Sequence, residues 1–288
     1  MRPHFCMKKI IFSTAKIVAC MATFVAIFTF LIWSSHCIAD AFVNLVGSEK
    51  VSYLYRTAIF FVIQAAISGA IFILYKKSSF FQLKIYSRPL NFFSNEASAS
   101  NFILAILPVI AFPFICIVFA LVSRNDIEIN SVMRWQLLPI SLAIIISAAA
   151  IEEFLFRGVL LRLMLQHSNL STPACIFFQS IVFALFHGEA ARSHYPIFID
   201  LLFVGLFLGL AYRASHRLWV AILLHSWSNI WSGLLTGGSK VWFAGPLLNI
   251  GVNEFVVVKR CAIVVSILLL LRLLRNASLV SSNIKSTS

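Results

Sequence analysis

Ile151-Glu152-Glu153-Phe154-Leu155-Phe156-Arg157-Gly158 sets two adjacent carboxylates and one guanidinium inside a long apolar run. From Leu137 to Ile151 there is no charge at all, and Phe, Leu and Val resume after the acids. An acid at membrane depth costs at least ~2.5 kcal/mol on insertion scales, so acids retained there mark function. On a helix Glu153 and Arg157 are four apart and share a face, with the acid on the N-terminal side, the favourable order for a pair. Glu152 points about 100° away around the helix and has no partner of that kind. The spacing predicts that Arg157 neutralises Glu153 and leaves Glu152 for chemistry. The competing reading is a buried structural ion cluster.

Outward from this stretch, the chain stays oily. Its 288 residues are 60% hydrophobic and only 11% charged, where a soluble domain carries about 25% charged residues. The mean hydropathy is +0.94. These values predict an all-α polytopic membrane bundle, because only helices and closed barrels satisfy their backbone in lipid. The two-residue alternation of a barrel is absent. A formal charge of +13 would suit nucleic acid, but the basic residues sit in short segments flanking apolar spans, as topology signals do. Nucleic-acid binding is rejected on that ground. The six cysteines are scattered and form no Cys-x-x-Cys pair, so neither a disulfide framework nor a thiolate metal site is expected. The basic, then apolar N-terminus is long for a cleaved signal and reads as a retained anchor.

About eight spans are expected: Ile17–Ile38, Thr57–Tyr75, Phe102–Val122, Leu137–Leu165, Ala174–Ala191, Pro196–Tyr212, Leu218–Leu235 and Phe255–Leu274. With the N-terminus inside, 15 of the 23 Lys and Arg residues fall on the cytoplasmic side, which places both termini there. The compact size, with few soluble appendages, points to a bacterial inner membrane. The organisation expected is an N-terminal region over 1–136 with three spans and no motif, a core over 137–254, and a final helix with a cytoplasmic tail over 255–288.

Further polar residues lie in later spans. His187 closes the apolar part of span five as Phe183-Ala-Leu-Phe-His187, and His225-Ser-Trp-Ser-Asn229 lies in span seven. His225 and Asn229, four apart, share a helical face. Peptide hydrolysis needs an activated water, an acid for the leaving amine and donors for the oxyanion. A buried Glu hydrogen-bonded to a His can activate water, while a second His and an Asn amide supply the donors. Glu152, His187 and His225 would equally make a His₂Glu zinc set. The His-Glu-x-x-His signature of such sites is missing.

Glu-Glu-x-x-x-Arg, then Phe-x-x-x-His, then His-x-x-x-Asn, in this order and in separate apolar spans, resembles the CAAX-protease and bacteriocin-processing (CPBP, or Abi) family of intramembrane endopeptidases. The resemblance covers about 137–235 and includes Phe156-Arg157-Gly158 and His187-Gly188. It implies that Glu152 and His187 activate water, that His225 and Asn229 stabilise the oxyanion, and that Glu153 and Arg157 brace the site. It implies a membrane-embedded or lipidated peptide or protein as substrate. A metal-free reaction is favoured over zinc, because Asn229 stands where a stronger zinc ligand is expected. Two other functions compete: a non-catalytic immunity or scaffold protein of the same fold, and a proton-coupled carrier, for which an internal repeat is expected but not found.

Other polar positions are read as structural. Asp200 is assigned to Arg192 as a snorkelling partner. Gln64 and Gln179 are expected to bond across helices, and Gly205 and Gly209 to allow close packing. His216, between Arg213 and Arg217, reads as an ordinary basic loop. Trp219, Trp227 and Trp231 are assigned to packing or to the interfacial belt.

Overall fold

A computed structural model describes residues 96–122, 135–167, 170–188, 195–236 and 252–286, and among these residues every regular element is helical. In chain order they are α1 (Glu96–Val122), a 3₁₀ turn (Trp135–Leu137), α2 (Leu138–Glu153), a π-helical segment (Phe154–Leu161), α3 (Arg162–His167), α4 (Thr172–Phe186), α5 (Tyr195–Ser215), α6 (Leu218–Thr236) and α7 (Val252–Ser286). Three stretches, Ala99–Val122, Pro196–Ser215 and Leu218–Thr236, are long and apolar enough to cross a bilayer. They match expected spans three, six and seven. The first two expected spans lie outside the described residues.

Two compact units are present. Among the described residues the first holds 135–167 and 170–175, and the second holds 96–122, 176–188, 195–236 and 252–286.

In the first unit, α2, the π segment and α3 form one continuous rod, because Phe154 and Arg162 at the junctions keep right-handed helical dihedrals. Pro139 occupies the first turn of α2, where a missing N–H costs nothing. The switch to π geometry falls directly after Glu153. At the junction the Phe154 N–H is shared between the carbonyls of Ala150 and Ile151. Bonding of the i→i+5 kind widens the turn and occurs frequently at functional sites.

The second unit shows how an oily helix finds its inner face. In α1 the residues Phe102, Ala105, Ile106, Val109, Phe112, Cys116 and Ala120 are buried at steps of three and four. The remaining faces are just as apolar, yet Ile103, Leu104, Leu107, Phe114, Val118 and Phe119 are about half exposed. Such an outer surface suits lipid, and the chain is an integral membrane protein. Pro108 and Pro113 lie inside α1, as membrane helices tolerate. α7 packs along α1 and α5, and α6 lies against α5 and α1. Phe112, Cys116 and Ala120 of α1 meet Leu235 of α6 and Phe255 and Ala262 of α7 in one cluster. The Phe112 and Phe255 rings meet edge to face at 5.7 Å, a favoured aromatic geometry. Trp227 and Trp231 pack against this cluster and contact each other at 5.6 Å, whereas Trp219 is 52% exposed.

α4 meets α5 through the two glycines. A Cβ on Gly205 would stand 3.0 Å from the Ser180 Cα, and one on Gly209 would stand 2.9 Å from Ile176 Cγ2. Lipid tails are as apolar as side chains, so helices in a bilayer are held by contact rather than by expulsion of water, and small residues allow that contact. The expected close packing is present. The expected bond from Gln179 is not: its side chain is fully buried near Gly209, and no group among the described residues bonds its amide. The absent Cβ at Gly209 makes room for the amide without supplying a polar partner.

α4 is also shorter than the expected span Ala174–Ala191. It ends at Phe186, where the His187 and Gly188 N–H groups turn back to the carbonyls of Ala184 and Leu185. Gly188 takes φ +65°, the left-handed backbone that ends many helices and that glycine adopts without steric cost. His187 therefore sits at the helix terminus, not within the span.

Candidate active site

Glu152, Glu153 and Arg157 belong to the first unit. Glu153 and Arg157 are both fully buried, and Arg157 Nη1 donates to Glu153 Oε1 at 2.7 Å. The pair bridges the α-to-π junction, so the acid sits on one helix type and the base on the other. Glu152 is only half-buried. It is not electrostatically isolated, as its spacing implied, because the Arg157 charge acts on Glu152 as well as on Glu153. One guanidinium thus serves two acids and donates its short hydrogen bond to the more buried one.

His187, His225 and Asn229 belong to the second unit. At the end of α4, His187 is half-buried, and its Nδ1 lies 2.9 Å from the Phe183 carbonyl oxygen. A carbonyl can only accept, so Nδ1 carries the proton, and in the neutral ring Nε2 is the nitrogen with the lone pair. The Phe183 ring lies beneath the same imidazole with centroids 4.7 Å apart. His225, on α6 and only 5% exposed, meets the same ring edge to face at 6.1 Å. Two histidines from two helices therefore share one aromatic contact, and Phe183 fixes one with its carbonyl and both with its ring. Asn229 is half-buried one turn along α6 from His225. Below it, Ser232 donates to the Ser228 carbonyl at 2.8 Å.

Two contacts were not anticipated from the sequence. Asp200 is engaged by Arg260 of α7; its expected partner, Arg192, lies outside the described residues. Arg260 Nε donates to Oδ1, and Nη2 donates to Oδ2 at 2.9 Å. This two-bond fork is the strong form of an Arg–carboxylate contact. Lys259, which no motif singled out, is turned toward Ser232 of α6, its Nζ 3.4 Å from Oγ. The available sign was Phe255, one turn before it, which gives the ammonium an aromatic face 5.8 Å away.

Residues 134–231 match the family model for "Type II CAAX prenyl endopeptidase Rce1-like". The match covers about a third of the chain, and its model is one of the CPBP family that the motifs resemble. The matched segment contains Glu152, Glu153, Arg157, Phe183, His187, His225 and Asn229, and it ends before Lys259. Neither the curated proteins nor the solved structures gave a match.

Proposed function

We propose that the protein is an intramembrane endopeptidase that cleaves a peptide bond in a membrane-embedded or lipidated substrate with a water activated by Glu152 and His187. The observation that supports this most directly is the meeting of His187 and His225 on Phe183, inside a segment that matches a peptidase family. That family's CAAX proteases act on prenylated proteins held at the membrane, and such a substrate is the one we assign here.

In the proposed reaction, the Glu152 carboxylate takes a proton from water as the water oxygen attacks the scissile carbonyl. His187, its Nδ1 proton held by Phe183, accepts a hydrogen bond from that water at Nε2. The carbonyl oxygen becomes an oxyanion and receives hydrogen bonds from the His225 imidazole and the Asn229 amide. The tetrahedral intermediate collapses, the C–N bond breaks, and the proton held by Glu152 passes to the leaving amine. Glu153 and Arg157 brace the acid. The chemistry requires no cofactor. Were zinc bound instead, Glu152, His187 and His225 would be its ligands, and metal analysis of the purified protein separates the two schemes. We assign the protein to a bacterial inner membrane with both termini in the cytoplasm.

The test is cleavage of a prenylated peptide by the purified protein in liposomes. Glu152→Gln and His187→Ala are each expected to lose about 10²–10⁴-fold in kcat, the range for a positioned acid or base. His225→Ala and Asn229→Ala are each expected to lose about 10²–10³-fold. Full cleavage by folded Glu152→Gln protein excludes the reading and favours a non-catalytic role. Proton flux that depends on Glu152 without peptide cleavage favours a carrier.

A further inference from the structure

Lys259 belongs to none of the motifs above, yet its placement is specific. It is half-buried on α7, between the apolar stretches Phe255–Val258 and Ala262–Val265, and a buried cation is retained at a cost. A lysine near a helix end normally snorkels toward water. Here the ammonium turns instead to Ser232 of α6 at 3.4 Å and to the Phe255 ring at 5.8 Å. Asp200 acts on it electrostatically, but both Asp200 oxygens are already engaged by Arg260. Among the residues whose side chains are described, no carboxylate lies within ion-pair distance of Lys259. A hydroxyl and an aromatic face hold the charge in place without cancelling it.

The partner helix gives the position its meaning. His225, Asn229 and Ser232 recur on α6 at intervals of four and three, so they share one face. Ser232 is seven residues beyond His225, which is about 10.5 Å along the axis at 1.5 Å per residue. An extended peptide rises about 3.3 Å per residue, so the same distance is about three residues of substrate.

Accordingly, we propose that Lys259 binds the C-terminal carboxylate of the substrate, about three residues beyond the scissile bond. This rests on the peptidase reading for the position of that bond. Ser232 and Phe255 position the ammonium. The anion is assigned to the peptide, and a lipid phosphate is the alternative that the experiment separates.

The test is binding, so it does not depend on turnover. A fluorescent prenylated peptide with three residues after its prenylated cysteine is prepared as the free acid and as the C-terminal amide. Each is titrated by anisotropy against full-length Glu152→Gln protein in zwitterionic nanodiscs and in nanodiscs containing phosphatidylglycerol. The acid is expected to bind at least about tenfold more tightly than the amide. Lys259→Gln should weaken the acid to the level of the amide and leave the amide unchanged, which also reports an intact fold. Lys259→Arg should retain most of the preference. Equal binding of acid and amide, or equal weakening of both by Lys259→Gln, overturns the proposal, as does a failure of either peptide to bind. An acid preference that is abolished in discs containing phosphatidylglycerol overturns it in favour of a lipid headgroup site. Cleavage by the wild type is read separately, so loss of the peptidase reading and loss of the Lys259 assignment give different results.

Discussion

Arg157 is the residue on which the buried charge balance turns. It is fully enclosed with Glu153 and acts on Glu152 as well. Removing one member of a buried pair leaves an uncompensated charge and costs about 3–5 kcal/mol, whereas replacing both with apolar groups is often nearly neutral. Arg157→Gln is therefore expected to lower the melting temperature in detergent far more than the double variant Glu153→Leu/Arg157→Leu. Both should be inactive, because both remove the brace beside Glu152. The pair itself was legible, since a spacing of four on a helix specifies it. His216 was not. It looks like part of a basic loop, but it closes α5 with φ +53° and an N–H bond to the Tyr212 carbonyl. Arg213 Nη1 lies 2.9 Å from its Nε2. Arginine can only donate, so this contact requires neutral histidine. Partial burial and the adjacent Arg213 charge hold the His216 pKa below its ordinary 6.5. The unfolded chain then binds the proton more readily than the folded one. The contribution is complete above about pH 6.5 and is lost as pH falls toward the lower folded value. Melting curves between pH 8 and 5 should show this small loss, and His216→Asn should remove it while accepting the left-handed backbone.

At the scale of elements, the apolar runs predicted helices because lipid permits little else, and that expectation required no periodicity. The inward faces were not legible, since α1 is apolar all the way round and only its neighbours select the buried stripe. The end of α4 was also misplaced, because the apolar pattern ran past the residues where Gly188 turns the backbone. The glycine contact between α4 and α5 was readable from spacing alone, and its two members should differ in cost. The added methyl of Gly205→Ala meets Ser180 backbone at 3.0 Å, which cannot yield without moving a helix. That of Gly209→Ala meets the Ile176 Cγ2, which can rotate away. Gly205→Ala is expected to destabilise by about 1–3 kcal/mol, the range for overpacking, and Gly209→Ala by less. Thermal unfolding of the two variants in the same detergent checks the order.

For the molecule as a whole, the contact hardest to read from sequence joins α5 to α7. Asp200 and Arg260 are sixty residues apart, and Arg192 was much nearer along the chain. Only packing could identify Arg260 as a partner. The side chains are 31% and 42% exposed, so their pair is expected to contribute no more than about 1 kcal/mol. Asp200→Asn should therefore shift the melting temperature little. The exchange Asp200→Arg/Arg260→Asp should restore what either single exchange loses, as a double-mutant cycle would show. The candidate chemistry was legible in a different way. Four side chains were marked by being polar in oily surroundings, and a fifth, Lys259, was overlooked because a basic residue near a span end has an ordinary explanation.

The wide-turned segment after Glu153 couples arithmetic to chemistry. Deleting a single residue between 159 and 161 would let the rod close into ordinary α-helix. Everything upstream would then swing by about 100° relative to the downstream half of the rod. Both acids would face a new direction, although every motif letter and nearly all the hydrophobicity would be unchanged. In this protein the aim of the carboxylates is written in the number of residues as much as in their identity.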